Sequence, residues 1–332
     1  MANLGYIQVT RACNQACRFC SNPPIERRQT FERVAAELLD LAERHYDGVI
    51  FTGGEPTLAP FLDQALRQAS RLGLEARIIT NGQLLARPDV LERLLASGLD
   101  HVHVSVHSYR PQVQADLTQN PESLANITKA LDNLGRAGVT TDINTVICAQ
   151  NADHLHETIS WLITEYPFLH HFVWNNLDPE MNRCRDNPDV IPRLSDFELS
   201  LHLAMERLQA TKRSFRVERV PLCYMTEFAF ASTETRKIVK GEERVVHFLD
   251  EQKGTVRQTQ WRHTKAACCR QCRLDELCAG LYAPDYFPIE ELYPVFTDPD
   301  SIREAIVGSR RARARRRDDT SDASTGSNSD QP

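Results

Sequence analysis

Short apolar, β-branched runs alternate with longer stretches of helical periodicity across residues 4–177, the pattern of repeated strand–helix units around a parallel sheet. Six units can be counted, with strands predicted over 5–10, 48–52, 76–80, 101–107, 140–147 and 170–175. A helix is predicted over 31–45, where Phe31, Val34, Ala35, Leu38, Leu39 and Ala42 recur at three- and four-residue spacing and form a face for the sheet. The same periodicity predicts helices over 124–134 and 155–163, the second capped by Asn151 or Asp153. Parallel strands need right-handed crossovers, so six consecutive units form an open sheet or an incomplete barrel. In either arrangement the functional face lies at the carboxyl ends of the strands.

Beyond the sixth strand the pattern loosens. Residues 178–196 are polar and carry Pro179, Pro188 and Pro192, which predicts a loop, a candidate lid, leading into a helix over 198–209. Residues 244–261 read as a hairpin with a Lys253-Gly254 turn. After Ile306 the chain carries six arginines between Arg310 and Arg317, then Asp, Ser, Thr and Gly without an apolar residue, and is expected to be disordered. No aromatic residue interleaves with those arginines, and Asp318, Asp319, Asp322 and Asp330 follow them, which favours a solvated tail over a nucleic-acid arm. The domains predicted are therefore 1–212, 213–306 and the tail 307–332.

Length and charge narrow the class. A chain of 332 residues can bury one large core and a small second one, and a net charge of −6 disfavours a nucleic-acid binder acting through its overall field. No apolar run approaches the roughly 18 residues of a membrane span, and Met1 to Tyr6 lacks the basic and apolar regions of a signal peptide. A cytoplasmic protein is expected. The ten cysteines cluster, three at 13–20 and four at 268–278, leaving Cys148, Cys184 and Cys223 scattered. That placement fits metal ligands or reduced thiols better than a disulfide framework.

Just past the first predicted strand, Cys13-Asn-Gln-Ala-Cys17-Arg-Phe19-Cys20 sets three thiols within eight residues. A structural zinc site or an ordinary iron–sulfur site wants four protein ligands, and the next cysteine is Cys148. Three thiolates can hold three irons of a cubane and leave the fourth iron open to a small molecule; buried thiols or a zinc knob completed from elsewhere are the plainer readings. The spacing resembles that of the radical S-adenosylmethionine (radical SAM) superfamily, whose fold is a six-unit (β/α)6 partial TIM barrel. The resemblance implies a 4Fe–4S cluster on Cys13, Cys17 and Cys20 whose open iron binds the amino and carboxylate groups of S-adenosylmethionine, with Phe19 packing the adenine. Thr52-Gly53-Gly54-Glu55-Pro56, at the end of the second strand, resembles the superfamily's Gly-Gly-Glu-Pro segment, which binds the ammonium group.

Polar side chains close the later strands: Thr80-Asn81-Gly82, Ser105, His107 and, within the fifth, Asn144. Buried polar groups need partners, which local backbone or a ligand could supply. By resemblance, Thr80, Ser105 and Asn144 join Gly53, Gly54 and Glu55 as cofactor contacts. His107 could face substrate as proton donor or acceptor, or be a satisfied wall residue. Cys184, between Arg183 and Arg185, is expected to have a lowered pKa, and Cys148 to be core. Asp142 and Glu180 are expected near the mouth without a defined role.

The C-x2-C-x5-C-x-G run of Cys269, Cys272, Cys278 and Gly280 resembles the auxiliary-cluster segments called SPASM and twitch domains. The SPASM pattern has a further cysteine where this chain has Tyr282, so the extension is shortened. It implies a second, auxiliary 4Fe–4S cluster on Cys223, Cys269, Cys272 and Cys278, with Cys268 competing for the fourth place and structural zinc as the alternative metal.

The α/β chain is thus expected to be an enzyme that cleaves S-adenosylmethionine to a 5′-deoxyadenosyl radical and abstracts hydrogen from a substrate. By resemblance the substrate is a ribosomally made peptide, or else a small molecule or cofactor precursor, and the electron comes from a flavodoxin- or ferredoxin-type reductant. A winged-helix peptide-binding domain has no room ahead of Cys13, which weighs toward the small molecule. The competing classes are a two-cluster electron carrier or sensor, which would not need the Gly53–Pro56 segment, and a zinc-stabilised module.

Overall fold

The computed structural model describes residues 3–180, 182–250 and 254–308. The Arg-rich and acidic tail from 309 onward, and Lys253 of the expected hairpin turn, lie outside the described residues. The chain runs β1 (Leu4–Thr10), α1 (Phe31–Glu43), β2 (Gly48–Gly53), α2 (Leu62–Arg71), β3 (Glu75–Thr80), α3 (Pro88–Ala96) and β4 (His101–Ser105). It continues with α4 (Pro111–Thr118), α5 (Ser123–Ala137), β5 (Thr140–Ile147), α6 (Leu155–Glu165), β6 (His171–Asn176), α7 (Leu194–Ala210) and β7 (Ser214–Glu218). The last named elements are α8 (Thr233–Lys240), β8 (Arg244–His247) and β9 (Thr255–Gln258), with a closing helix over 299–308.

These strands form one sheet in the order β7-β6-β5-β4-β3-β2-β1-β8-β9. Every adjacent pair from β7 through β8 is parallel, and only the β8–β9 hairpin is antiparallel. The expected six units are present and flanked: β7 extends one edge and β8 adds beside β1, so the barrel sheet runs on past residue 212. The sheet curls without closing. Glu218 on β7, at one end of the strand order, and Arg244 on β8, next to the other end, meet at 2.6 Å.

Period-two alternation separates two faces of this sheet. The outward residues, such as Phe51, Ile78, Val102, Val104, Phe172 and Trp174, are buried under the helices. Inward residues are largely polar, and with Tyr6 and Ile79 they enclose a cavity of about 420 Å³. β4 shows the division directly: Val102 and Val104 face the helices, while His101 and His103 face the lumen.

Helix α1 refines the expected apolar face. Thr30 caps it, its side chain accepting from the Arg33 N–H, and Val34, Leu38 and Leu41 are its buried stripe. Leu39, placed on that face by spacing alone, is 48% exposed, because it sits about 100° round the helix from Leu38. Gly5 on β1 makes room for the stripe, since a Cβ there would stand 2.3 Å from Leu41 Cδ2. Three further expectations change. The 178–196 loop contains two short 3₁₀ turns, Asn182–Cys184 and Pro188–Val190, and its helix starts earlier, at Leu194. Strand β4 ends at Ser105, two residues before His107. The α6 cap is neither Asn151 nor Asp153: a 3₁₀ turn over Ala152–His154 precedes the helix, and His154 takes the cap position without a side-chain bond.

Replacing Leu38 by Ala should cost about 2–5 kcal/mol of stability in urea unfolding, whereas Leu39→Ala should change it by less than about 0.5 kcal/mol. Equal losses would contradict the assignment of the buried stripe.

Candidate functional site

Where β1 ends, the chain is turned onto the end of β2. The Gly54 N–H donates to the Thr10 carbonyl at 2.7 Å and the Glu55 N–H to the Ala12 carbonyl at 2.8 Å. Gly53 has φ +134°, and a Cβ there would lie 2.0 Å from Thr10 O; one on Gly54 would lie 2.2 Å from Ala12 O. Both glycines are therefore required by the approach of the cysteine loop. The far side of the loop is tied to α4 and α5: the Ala16 and Arg18 N–H groups donate to the Thr118 and Leu117 carbonyls at 3.2 and 2.9 Å, and Gln15 Nε2 donates to Ser123 Oγ at 3.1 Å.

This double anchorage presents Cys13 exposed and Cys17 and Cys20 half-buried. Burial, with Cys20 and Cys13 close by, pushes the Cys17 thiol up to about 12. Three thiolates gathered in such a place repel one another unless a metal centre neutralises them. The Asn22 N–H donates to Cys20 Sγ at 3.3 Å, and Asn81 Nδ2 stands 3.7 Å from Cys13 Sγ. The donor set and these N–H groups aimed at sulfur fit a thiolate-bound iron–sulfur cluster.

Glu55 is almost fully buried. Its carboxylate accepts from Thr57 N–H (3.1 Å), Thr57 Oγ1 (2.6 Å), Thr80 Oγ1 (2.7 Å) and Asn81 N–H (2.8 Å). Glu55 and Thr80 are thus bonded to each other and pin the end of β2 to the end of β3. Ser105 is half-buried at the end of β4, level in register with Asn144 on β5. Asn144 Oδ1 accepts from Asn175 Nδ2 at 2.6 Å, and both line the central cavity.

Phe19 packs among Leu117, Cys148, Leu177, Cys184 and Val190, and its ring meets His107 edge-on at 4.7 Å. His107 Nδ1 accepts from the Val146 N–H at 3.3 Å, which requires the neutral ring with its proton on Nε2. Burial holds its pKa down at about 4. Asn151, expected as a helix cap, instead donates to the His107 and Val146 carbonyls at 2.8 and 2.9 Å. Cys148 is core, as expected. Cys184 departs from expectation: it is fully buried, and burial followed by Asp178 and Cys20 raises its thiol to about 11. Arg183 turns away to donate to the Cys17 carbonyl at 3.3 Å.

A second group of thiols lies in the carboxyl-terminal segment. Burial, with Cys278 and Cys269 close, pushes the Cys223 thiol up to about 12 against a backbone hydrogen bond from Tyr293 that favours the thiolate. The Val295 N–H donates to Cys272 Sγ and the Gly280 N–H to Cys278 Sγ, each at 3.3 Å. Lys265 Nζ fastens the loop through the Asp275 and Cys278 carbonyls, both at 2.9 Å. Cys268 Sγ donates to the Leu292 carbonyl at 3.3 Å. This set also has the donors for a thiolate cluster, and Cys223 stands with Cys269 and Cys278.

Several side chains here escaped sequence reasoning. Asn22, Asn175 and Lys265 carry no spacing signal, and only the fold aims them. Asp142, expected near the mouth, is on the inner wall toward the amino ends of the strands, 2.9 Å from His101 Nε2.

Comparison with known proteins agrees with this arrangement. Residues 7–162 match the model of the radical SAM superfamily. Over 153 residues the chain is 31% identical to the PqqA peptide cyclase of Xanthomonas axonopodis pv. citri (strain 306), a match covering 45% of this chain and 41% of that one. It is 26% identical over 155 residues to an S-adenosylmethionine-dependent nucleotide dehydratase of Flammeovirga pacifica, covering 42% of this chain and 51% of that one. Streptococcus suis SuiB bound to S-adenosylmethionine superposes with a TM-score of 0.63 at 16% identity, over 90% of this chain and 77% of SuiB. The enzyme anSMEcpe with bound AdoMet and the Kp18Cys peptide gives 0.61 at 14% identity, over 93% and 97%. Through residues 7–162 the chain is similar to the radical SAM superfamily. It spans about two fifths of the length of the PqqA peptide cyclases it matches.

Because His107 is neutral in the fold and charges in the unfolded chain, the unfolded state binds more protons below about pH 6.5, so stability falls with pH from there to about 4. Between about pH 7 and about pH 5 this should remove about 2 kcal/mol. Urea unfolding of His107→Gln should lose correspondingly less over the same interval than the parent; parallel losses would show that His107 does not titrate this way.

Proposed function

We propose that the protein is a radical SAM enzyme that holds a 4Fe–4S cluster on Cys13, Cys17 and Cys20 and acts on a peptide substrate. The observation that carries this is the three-thiol loop clamped by Gly53 and Gly54 at the carboxyl ends of the strands, above a polar lumen. When bound, the cluster supplies one electron to S-adenosylmethionine, giving methionine and the 5′-deoxyadenosyl radical that takes hydrogen from the substrate.

The chain's own groups bind, orient and exclude water. The Gly53–Glu55 backbone offers carbonyl groups to the ammonium of the cofactor, while the Glu55–Thr80 brace keeps that turn rigid. Ser105 and Asn144 are placed for ribose or substrate hydrogen bonds. Phe19 offers an apolar edge to the adenine, with neutral His107 beside it as a donor through Nε2. The apolar packing behind Phe19 keeps bulk water from that flank.

Residues 1–212 would hold this cofactor site and residues 213–306 an auxiliary 4Fe–4S cluster on Cys223, Cys269, Cys272 and Cys278. The bond from Cys268 to Leu292 favours Cys223 as the fourth ligand. A flavodoxin- or ferredoxin-type protein would deliver the electron. A peptide substrate is supported by likeness to the PqqA peptide cyclase and to structures solved with peptides, SuiB with its precursor SuiA and anSMEcpe with Kp18Cys. Likeness to the nucleotide dehydratase supports a second reading, the same chemistry on a small molecule.

Anaerobic reconstitution with iron and sulfide, reduction and addition of S-adenosylmethionine should yield 5′-deoxyadenosine and about eight irons per chain. The Cys13→Ala/Cys17→Ala/Cys20→Ala variant should keep about four irons and make none of the product, and Cys272→Ala should lose the other four. Zinc in place of iron, or product formation by the triple variant, would overturn the proposal.

A further inference from the structure

The amino-terminal end of the lumen carries a second group of metal-binding side chains, remote in the sequence from both cysteine sets. His101 and His103 alternate along β4 and both point inward, and Asp142 is the register partner of His103 on β5. One ligand atom from each of the three lies within 4.8 Å of the other two. Asp142 Oδ2 is 2.9 Å from His101 Nε2 and 3.5 Å from His103 Nδ1. In a tetrahedral site with ligands at about 2.0–2.1 Å, donor atoms stand about 3.3 Å apart, so these separations bracket the edge of such a site.

An Asp142–His101 ion pair accounts for only part of the group, since it leaves two buried ring nitrogens without a hydrogen bond. The imidazoles are stacked parallel, 4.7 Å apart with planes at 4°. His101 Nε2 and His103 Nε2 are buried and have no hydrogen-bond partner, the first lying off the hydrogen-bonding direction to Asp142 despite the short distance. Buried polar atoms in a native fold are ordinarily satisfied. Glu75 Oε1 stands 3.7 Å from His101 Nδ1, and its other oxygen accepts from Arg77 at 2.8 Å. A carboxylate behind a histidine is how metal-bound imidazoles are commonly oriented.

We propose that His101, His103 and Asp142 bind a divalent first-row transition ion, with zinc the best fit, at the amino-terminal end of the barrel interior. Two imidazole nitrogens and one carboxylate oxygen match the donors and number of open zinc sites, which leave a position for water or another ligand. That position faces the cavity of about 420 Å³, giving room for a water or a substrate donor atom. The site is independent of the proposed cluster chemistry, and its thiol-free ligand set distinguishes it.

The test uses the full chain, reconstituted with its iron. One equivalent of zinc is added, unbound metal is removed by gel filtration, and zinc and iron are counted by mass spectrometry, with X-ray absorption at the zinc edge reading the ligands. About one zinc per chain with nitrogen and oxygen neighbours at about 2.0 Å is expected. His103→Gln and Asp142→Asn should each lower zinc affinity at least about tenfold with iron content unchanged. If one variant fails to fold, judged by lost iron and a lost cooperative melt, the other decides. No zinc retained by the parent, a shell of sulfur at about 2.3 Å, or equal retention by the folded variants would overturn the proposal.

Discussion

The closest constraint in the molecule is the meeting of the cysteine loop with the end of β2. Two backbone hydrogen bonds, from the Gly54 N–H to the Thr10 carbonyl and from the Glu55 N–H to the Ala12 carbonyl, join the segments at 2.7 and 2.8 Å. The carbonyls of Thr10 and Ala12 occupy the space that side chains at 53 and 54 would fill. Glu55 then passes the constraint to β3 through Thr80 and Asn81. One short stretch therefore fixes the loop that carries Cys13, Cys17 and Cys20 and the ends of the first three strands. An ordinary residue at Gly53 would face both a forbidden contact and an unfavourable φ, and the loop would have to move as a whole.

The rest of the fold serves a lumen that is polar where barrel interiors are more often filled with branched apolar residues. Stability comes from the outer face, where the strands bury Phe51, Phe172 and Trp174 under the helices. This frees the inner face to carry charge and hydrogen-bonding groups. The Glu218–Arg244 pair links β7 to β8, the two edges of the parallel part of the sheet. Burial desolvates Arg244, yet Glu218 beside it keeps the guanidinium charged, its pKa raised. Removing either partner would strand a buried charge, a costlier change than losing the pair.

Much of this was legible in the sequence, for reasons that differ between elements. The six strands follow from runs too short and too β-branched for helices, and the three-thiol spacing needs no tertiary information. The hairpin and the thiols at 269, 272 and 278 are likewise local patterns. What failed depends on long-range packing. Leu39 matched the helical period but lies beyond the arc that reaches the sheet, and Asn151 was a better partner for His107 than for the start of α6. Cys184 has cations on both sides in the chain, yet it is buried and Arg183 is drawn to the cysteine loop. The His101-Val102-His103 alternation was visible, but nothing in one sequence tells which face of β4 meets Asp142.

The central claim is that the cysteine loop holds a cluster with one iron open to S-adenosylmethionine. Electron–nuclear double resonance tests it most directly, using the reduced, reconstituted protein and S-adenosylmethionine labelled at its amino nitrogen. The account predicts a hyperfine coupling between the cluster spin and that nitrogen, retained in Cys272→Ala, whose cysteine lies in the other thiol group. A fully loaded cluster on Cys13, Cys17 and Cys20 that shows no coupling to the labelled nitrogen, with the cofactor bound, would contradict it.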